Sequence, residues 1–470
     1  MKNHGMNPYL PSWEYVPDGE PHVFGKRVYI YGSHDRFAGY AFCQNDYVCW
    51  SAPVDDLTDW QYEGIIYTRA EAAHNEDGRQ CLYAPDVTCG PDGRYYLYYA
   101  LNETSAISVA VCDTPAGKYT YYGDVHYPDG TTLGARPGDE QQFDPGVLTE
   151  GETTWLYSGF CPPMMPGRTG ALCYRLASDM LTVEQTYPAV VPGAQTAKGT
   201  GFEGHAFFEA SSIRKVGDKY YFIYSSELSH ELCYAVSDSP CRGFVYGGTL
   251  VDNADLGLCD TARYFTGNHG SIEQINGRWY VFYHRHTNSS MFCRQGMVEP
   301  IEILPDGRIP QVEITTSGPN GAPLPAVELR ELPAYAACNL YMTQPPQVNA
   351  EAGQNPFPYI TQDGADVMPE SESKPEAYIC NLTPGTVVGF KYLNFQNVTK
   401  VSVKTRGMCY YGGFDVLLTA DGEPIGTVSA ARGNEWTWQT TELAIPNGIS
   451  AIYFRMKGYG TLSLAAAKFH

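Results

Sequence analysis

Positive charge is scarce in this chain: 470 residues include 31 Lys and Arg against 52 Asp and Glu, a formal net charge of −21. Nucleic acids and anionic membrane surfaces are bound through Lys/Arg patches, so the balance argues against both as partners and suits a neutral ligand. Long apolar runs are missing as well. None approaches the roughly 18 residues needed to span a bilayer. The opening stretch Met1-Lys2-Asn3-His4-Gly5-Met6-Asn7-Pro8 lacks the apolar core of a secretory leader. The 14 cysteines form no CxxC pair and no regular spacing, which favours free thiols in a reducing compartment over a disulfide framework. The expected location is cytoplasmic.

What the chain has in abundance is tyrosine, glycine and proline, with 37, 48 and 33 residues. Short aromatic runs between Gly, Pro, Asn and Asp are the compositional sign of an all-β protein. Five such runs recur: Val28-Tyr29-Ile30-Tyr31, Tyr95-Tyr96-Leu97-Tyr98, Thr154-Trp155-Leu156-Tyr157, Tyr220-Tyr221-Phe222-Ile223 and Trp279-Tyr280-Val281-Phe282. Their second residues stand at 29, 96, 155, 221 and 280, spaced by 67, 59, 66 and 59. Each run follows a hairpin turn signal such as Gly217-Asp218 or Asn276-Gly277. A β-sandwich also gives alternating strands, but not so long a regular period, so the repeat predicts a five-bladed β-propeller. The period stops near Ile309-Pro310. We therefore expect a propeller over 1–315, a linker or crossover over 316–335, and a β-sandwich (jelly-roll) domain over 336–470.

A titratable residue precedes each aromatic anchor at a similar distance. Asp18, Asp144 and His269 precede theirs by 11, Asp86 by 10 and Glu209 by 12. Innermost propeller strands line one channel, so matched offsets predict that these side chains converge. Taken singly, each reads as a strand-opening hydrogen-bond acceptor or, for Asp144-Pro145, a turn opener. Taken together, they form a charge cluster too costly for a purely structural core. Paired carboxylates suit glycoside hydrolysis: one protonates the leaving oxygen while the other activates water on the opposite face. A third carboxylate near the acid would raise its pKa.

These motifs resemble glycoside hydrolase family 43 over about residues 7–310. The carrying segments are Asn7-Pro8, Val16-Pro17-Asp18-Gly19-Glu20-Pro21, Tyr29-Ile30-Tyr31-Gly32-Ser33-His34-Asp35, Ala84-Pro85-Asp86-Val87, Phe143-Asp144-Pro145-Gly146, Phe207-Phe208-Glu209-Ala210 and Gly267-Asn268-His269-Gly270. The resemblance implies that Asp18 is the general base, Glu209 the general acid and Asp144 its modulator. Glu20 is a rival base, because the family places Asp-Pro where this chain has Asp18-Gly19 and Glu20-Pro21. Strand alternation would put Asp18 and Glu20 on one face. Glu20, Asp86, Arg294 and His269 are the expected substrate contacts, and His284 and His286 read equally as core or rim histidines.

The implied activity is inverting, exo-acting release of α-L-arabinofuranosyl or β-D-xylosyl units from neutral plant-cell-wall oligosaccharides. The implied cofactor is a structural calcium ion beside His269, held largely through water, with no organic cofactor. A retaining fructosidase-type propeller lacks its Asn-Asp-Pro and Arg-Asp-Pro motifs here, and a non-catalytic sugar-binding propeller is the remaining alternative. The C-terminal part resembles a family 6 carbohydrate-binding module through Gly389-Phe390-Lys391-Tyr392, Val401-Ser402-Val403-Lys404 and Trp436-Thr437-Trp438-Gln439. Trp436, Trp438, Tyr410 and Tyr411 are its candidate sugar platforms.

Overall fold

The computed structural model describes residues 5–254, 267–321, 323–343 and 357–470. Apart from two 3-10 turns, every regular element among them is a strand. Five antiparallel sheets follow one another, opening with strands Glu20–Phe24, Asp86–Cys89, Gly146–Glu150, Phe207–Val216 and Ser271–Ile275. The first four carry four strands each and the fifth carries three. The opening strands of neighbouring sheets touch in sequence, and that of the fifth touches that of the first. This closes a five-bladed propeller around a central channel.

The aromatic runs form the second strand of each blade, and their residues alternate between two cores. Tyr96 and Tyr98 pack towards blade three with Val147 and Leu156, whereas Leu97 and Tyr99 pack towards blade one with Tyr31 and Tyr47. Three further clusters fill the other junctions in the same way. Burial on both faces explains why these runs are continuously apolar instead of alternating. Each side chain such as Leu97 or Ile223, fully buried, contributes roughly 1.5–3 kcal/mol. The Asn276-Gly277 turn has φ of 49° and 80°, the pairing that a two-residue hairpin requires.

The ring closes through the N-terminal segment. Asn7 Nδ2 donates to the Val298 carbonyl at 3.0 Å, and Val298 N donates to Asn7 Oδ1 at 2.9 Å. The side-chain amide thus imitates a paired strand residue along the outer edge of blade five. Tyr9 N reaches the Gly296 carbonyl at 3.3 Å.

The C-terminal part is one curled sheet around its own apolar core. Its two longest strands, Lys400–Leu417 and Gly448–Phe469, pair along most of their length. They bend where the register shifts between Tyr410 and Gly413. Gly458 and Gly460, both at φ 108°, lie at that bend. A Cβ on Gly460 would stand 2.1 Å from the Met408 carbonyl oxygen, so only glycine fits. The expected sandwich is realised in this form, with continuous strands in place of two separate sheets.

None of the thirteen described cysteines is in a disulfide. Trp436 and Trp438 share one half-buried face of the strand Gly433–Glu442. Arg406 covers the first at 4.4 Å and Lys468 the second at 4.2 Å. Tyr411 is exposed, and Arg432 lies 4.1 Å over the ring of Tyr410.

Candidate active site

Four of the five blade-head residues meet at one mouth of the channel. Asp18, Asp144, Glu209 and His269 line a single cavity of about 460 Å³ with Arg294, His284 and His286. Asp86 is absent from this lining, and cross-strand pairing shows why. The residue opposite the second position after the anchor is Glu20 in blade one, Gly146 in blade three, Ser212 in blade four and Ser271 in blade five. In blade two it is Asp86, opposite Tyr98. Asp86 is therefore the counterpart of Glu20 and not of Asp18. The blade-two hairpin is one residue longer and the offset of Asp86 is one shorter, so together they set Asp86 two residues, one level, deeper, and Ala84 stands at the cavity.

Blade four reaches the cavity by the opposite device. Its opening strand bulges between Glu209 and Ser212, with Ala210 at φ 67°. The extra residue carries Glu209 to the rim despite its offset of 12. Asp18 and Asp144 also take left-handed backbone, φ 57° and 44°. Asp18 precedes the strand that begins at Glu20, so strand alternation does not link the two. The expectation that they share a face fails: Asp18 turns to the cavity and Glu20 into the channel.

Asp18 is gripped by one guanidinium and one imidazole. Arg294 Nη1 donates to its two oxygens at 2.9 and 3.1 Å, and His284 Nδ1 lies 3.0 Å from Oδ1. Burial alone would raise its pKa, but Arg294 and the His284 hydrogen bond outweigh that and hold it well below the usual carboxylate range. Glu209 shows the reverse. Burial first, then the charge of Asp18, pushes it up to about 7 against the pull of Arg294. Burial and Glu209 likewise raise Asp144. Asp144 Oδ2, however, accepts the Ala210 N–H at 3.1 Å, which favours its charged form. No comparable donor reaches the Glu209 carboxyl group among the described residues. The two carboxyl groups are raised together and titrate as a unit that shares a proton.

Below this level the channel is filled by a second charged set. Arg214 Nη2 donates to Glu20 Oε2 at 2.8 Å and Arg214 Nε to Glu273 Oε2 at 3.2 Å, while His22 Nε2 lies 2.6 Å from Asp86 Oδ1. Burial and then Asp86 raise Glu20 to about 7, and burial raises Asp86 to about 6. Glu20 and Asp86, expected to touch substrate, instead plug the cavity floor.

His269 Nδ1 stands 3.7 Å from Asp18 Oδ1 and 3.6 Å from Asp144 Oδ2. Burial lowers its pKa to about 4, so it is neutral near pH 7 and able to ligate a metal. One imidazole beside two carboxylates fits a largely hydrated cation, because calcium prefers oxygen ligands. Glu20, His22 and Asp86 also converge within metal-ligand range, but Arg214 already occupies Glu20 Oε2.

Two features were not anticipated. Asp35 receives a fork from Arg294, Nε to Oδ2 at 2.8 Å and Nη2 to Oδ1 at 2.9 Å, and so fixes the guanidinium against Asp18. Rings also wall the cavity: Tyr83, Phe143, Phe160 and Phe208 follow one another with centroids 5.4, 5.1 and 5.6 Å apart, and Phe42 lies under Arg294 at 4.7 Å. The signal was present, since Phe143 and Phe208 directly precede Asp144 and Glu209 and Tyr83 precedes Ala84.

The sequence model described as Glycosyl hydrolases family 43 matches residues 14–309. The chain belongs to glycosyl hydrolase family 43. A relative in Thermoclostridium stercorarium, a "Xylosidase/arabinosidase", is 54% identical over 99% of this chain and 98% of its own. A protein of the same description in Bacteroides ovatus is 30% identical, covering 65% of this chain and 97% of that protein. Among solved structures, an arabinoxylan arabinofuranohydrolase of this family from Bacillus subtilis, in complex with cellotetraose, shares the fold at TM-score 0.52. It is 20% identical and covers 100% of this chain and 98% of its own. A family 43 β-xylosidase/α-arabinofuranosidase from a compost microbial metagenome, with xylotriose and in calcium-free form, has TM-score 0.52 and 25% identity. It covers 66% of this chain and 98% of its own. Family membership makes this chain a glycoside hydrolase and favours the catalytic reading over the non-catalytic alternative.

Proposed function

We propose that this family 43 hydrolase is exo-acting and inverting, with Asp18 as the base that activates water and Glu209 as the acid that protonates the leaving oxygen. The observation carrying this assignment is the split in charge state across one cavity. Asp18 is held ionised by Arg294 and His284, while Glu209 is pushed up to about 7 and keeps a proton to give. Asp144, anchored by the Ala210 N–H, orients Glu209 and shares its proton.

The floor packed with Glu20, Arg214 and Asp86 makes the cavity blind, and about 460 Å³ suits a terminal sugar better than the middle of a polymer. The aromatic wall offers flat apolar faces to sugar C–H groups. The names of the relatives support α-L-arabinofuranosyl or β-D-xylosyl units as the sugar. His269 is the residue of this chain that would hold a calcium ion in the channel, where the ion would supply fixed positive charge beside Asp18 and Asp144. The unpaired thiols support action in a reducing, cytoplasmic compartment.

Proton NMR of the first-formed anomer from 4-nitrophenyl α-L-arabinofuranoside and β-D-xyloside tests the assignment, with Glu209→Ala as the control. Inverted configuration supports it. A retained anomer, or full activity in Glu209→Ala, overturns it.

A further inference from the structure

The loop between strands Arg27–Tyr31 and Tyr47–Pro53 carries Phe42 and Cys43 to the cavity and Asp35 to Arg294, yet it contains no regular element between 32 and 46. Part of what fixes it comes from more than 300 residues away. Asp366 Oδ1 accepts the Phe37 N–H at 2.8 Å, and Oδ2 accepts Asn45 Nδ2 at 3.1 Å. The same Asn45 amide donates to the Asp35 carbonyl at 3.1 Å, and Cys43 N donates to Asp35 Oδ1 at 2.9 Å. One carboxylate thus ties both ends of the loop.

The segment bearing Asp366 is itself anchored to the curled sheet. Arg406 forks onto Asp363 at 2.7 and 3.0 Å, and Tyr378 OH donates to Asp363 at 2.9 Å. The segment also engages the opposite lip, where Ile360 N donates to the Thr287 carbonyl and Asn288 Nδ2 to the Ile360 carbonyl, both at 2.9 Å. The two lips meet in the edge-on contact of Phe42 and Phe292 at 4.8 Å.

We propose that Asp366 is a positioning residue for hydrolysis: it holds the 35–45 loop so that Asp35 keeps Arg294 seated on Asp18. The C-terminal sheet is then a working part of the catalytic site and not an independent appendage. This rests on the acid–base assignment above.

The test uses the full chain with Asp366→Ala, Asp366→Asn and the exposed control Glu372→Ala. For Asp366→Ala the expected result is kcat/KM on the aryl glycosides down by about tenfold or more, since small displacements of reacting groups are costly. Most of that loss falls on kcat, and the acid limb of the pH profile moves up as Arg294 loosens from Asp18. Asp366→Asn keeps one acceptor and recovers part of the rate, and Glu372→Ala matches the wild type. Hydrogen exchange of peptide 36–44 gives a readout independent of substrate, and it speeds up in Asp366→Ala. Wild-type kinetics, pH profile and exchange in folded Asp366→Ala overturn the inference, as does a rate loss with no shift of the acid limb. An inactive wild type overturns the substrate assignment instead, and exchange then decides the loop contact by itself.

Discussion

Arg294 donates to both carboxylate oxygens of Asp18, at 2.9 and 3.1 Å, from a position where nearly all water is excluded. A buried base without that partner would tend to keep its proton and lose its function.

Replacing the guanidinium should therefore move the base. In Arg294→Met, Asp18 loses the largest influence lowering its pKa, and the acid limb of kcat/KM rises towards neutrality. We expect kcat/KM at the optimum to fall about a hundredfold or more. A pH profile of wild type and variant checks this, and unchanged limbs would refute it.

On the proposed roles the basic limb follows the acid Glu209, which titrates together with Asp144. The pKa of Glu209, raised to about 7 by burial and by Asp18, means that the competent protonated form is lost as pH climbs through that value, so kcat/KM should halve near pH 7. Glu209→Gln should remove the limb and cost about 10²–10⁴ in rate on 4-nitrophenyl substrates. The loss should be much smaller with 2,4-dinitrophenyl glycosides, whose leaving group departs without protonation.

The proposed roles of Asp18 and Glu20 can be separated by substitution. Asp18→Asn should abolish turnover, whereas Glu20→Gln should retain activity within about tenfold, because Glu20 faces Arg214 below the cavity floor. Full activity of Asp18→Asn would reverse the two roles.

The channel network should appear in stability. Arg214→Met strands Glu20 and Glu273 without their counter-ion, a change that costs about 3–5 kcal/mol in a buried pair. Thermal melts of the single variant and of Glu20→Gln/Arg214→Met should show partial recovery in the double variant. The pH dependence has a definite sign. Glu20 rises from 4.5 to about 7 on folding, so the folded state binds the extra proton between those values. Stability consequently falls as pH increases through that window and levels off above it. Glu20→Gln should flatten that slope.

The repeat that reveals the blades is legible because each second strand is buried on two faces, which forces a continuous aromatic run. The convergence of Asp18, Asp144 and His269 is legible for a related reason, since equal hairpins put equal offsets at equal depth. Asp86 breaks the rule through one added turn residue together with an offset one short of eleven, and Glu209 obeys it only with the help of a bulge at Ala210. Neither departure has a signal in residue type, because both depend on where backbone hydrogen bonds begin. Asp35 and Asp366 themselves lie on loops with no period to reveal them, and their partners are 259 and 329 residues away.

The Asn7 amide that fastens onto Val298 makes the first described residues the clasp of a hoop. A linear repeat array can fray from its last unit, but a clasped hoop has no last unit to lose. Every blade keeps two neighbours until the clasp opens, so the propeller should melt as one body, and shortening the chain at its start would weaken blade five and blade one together.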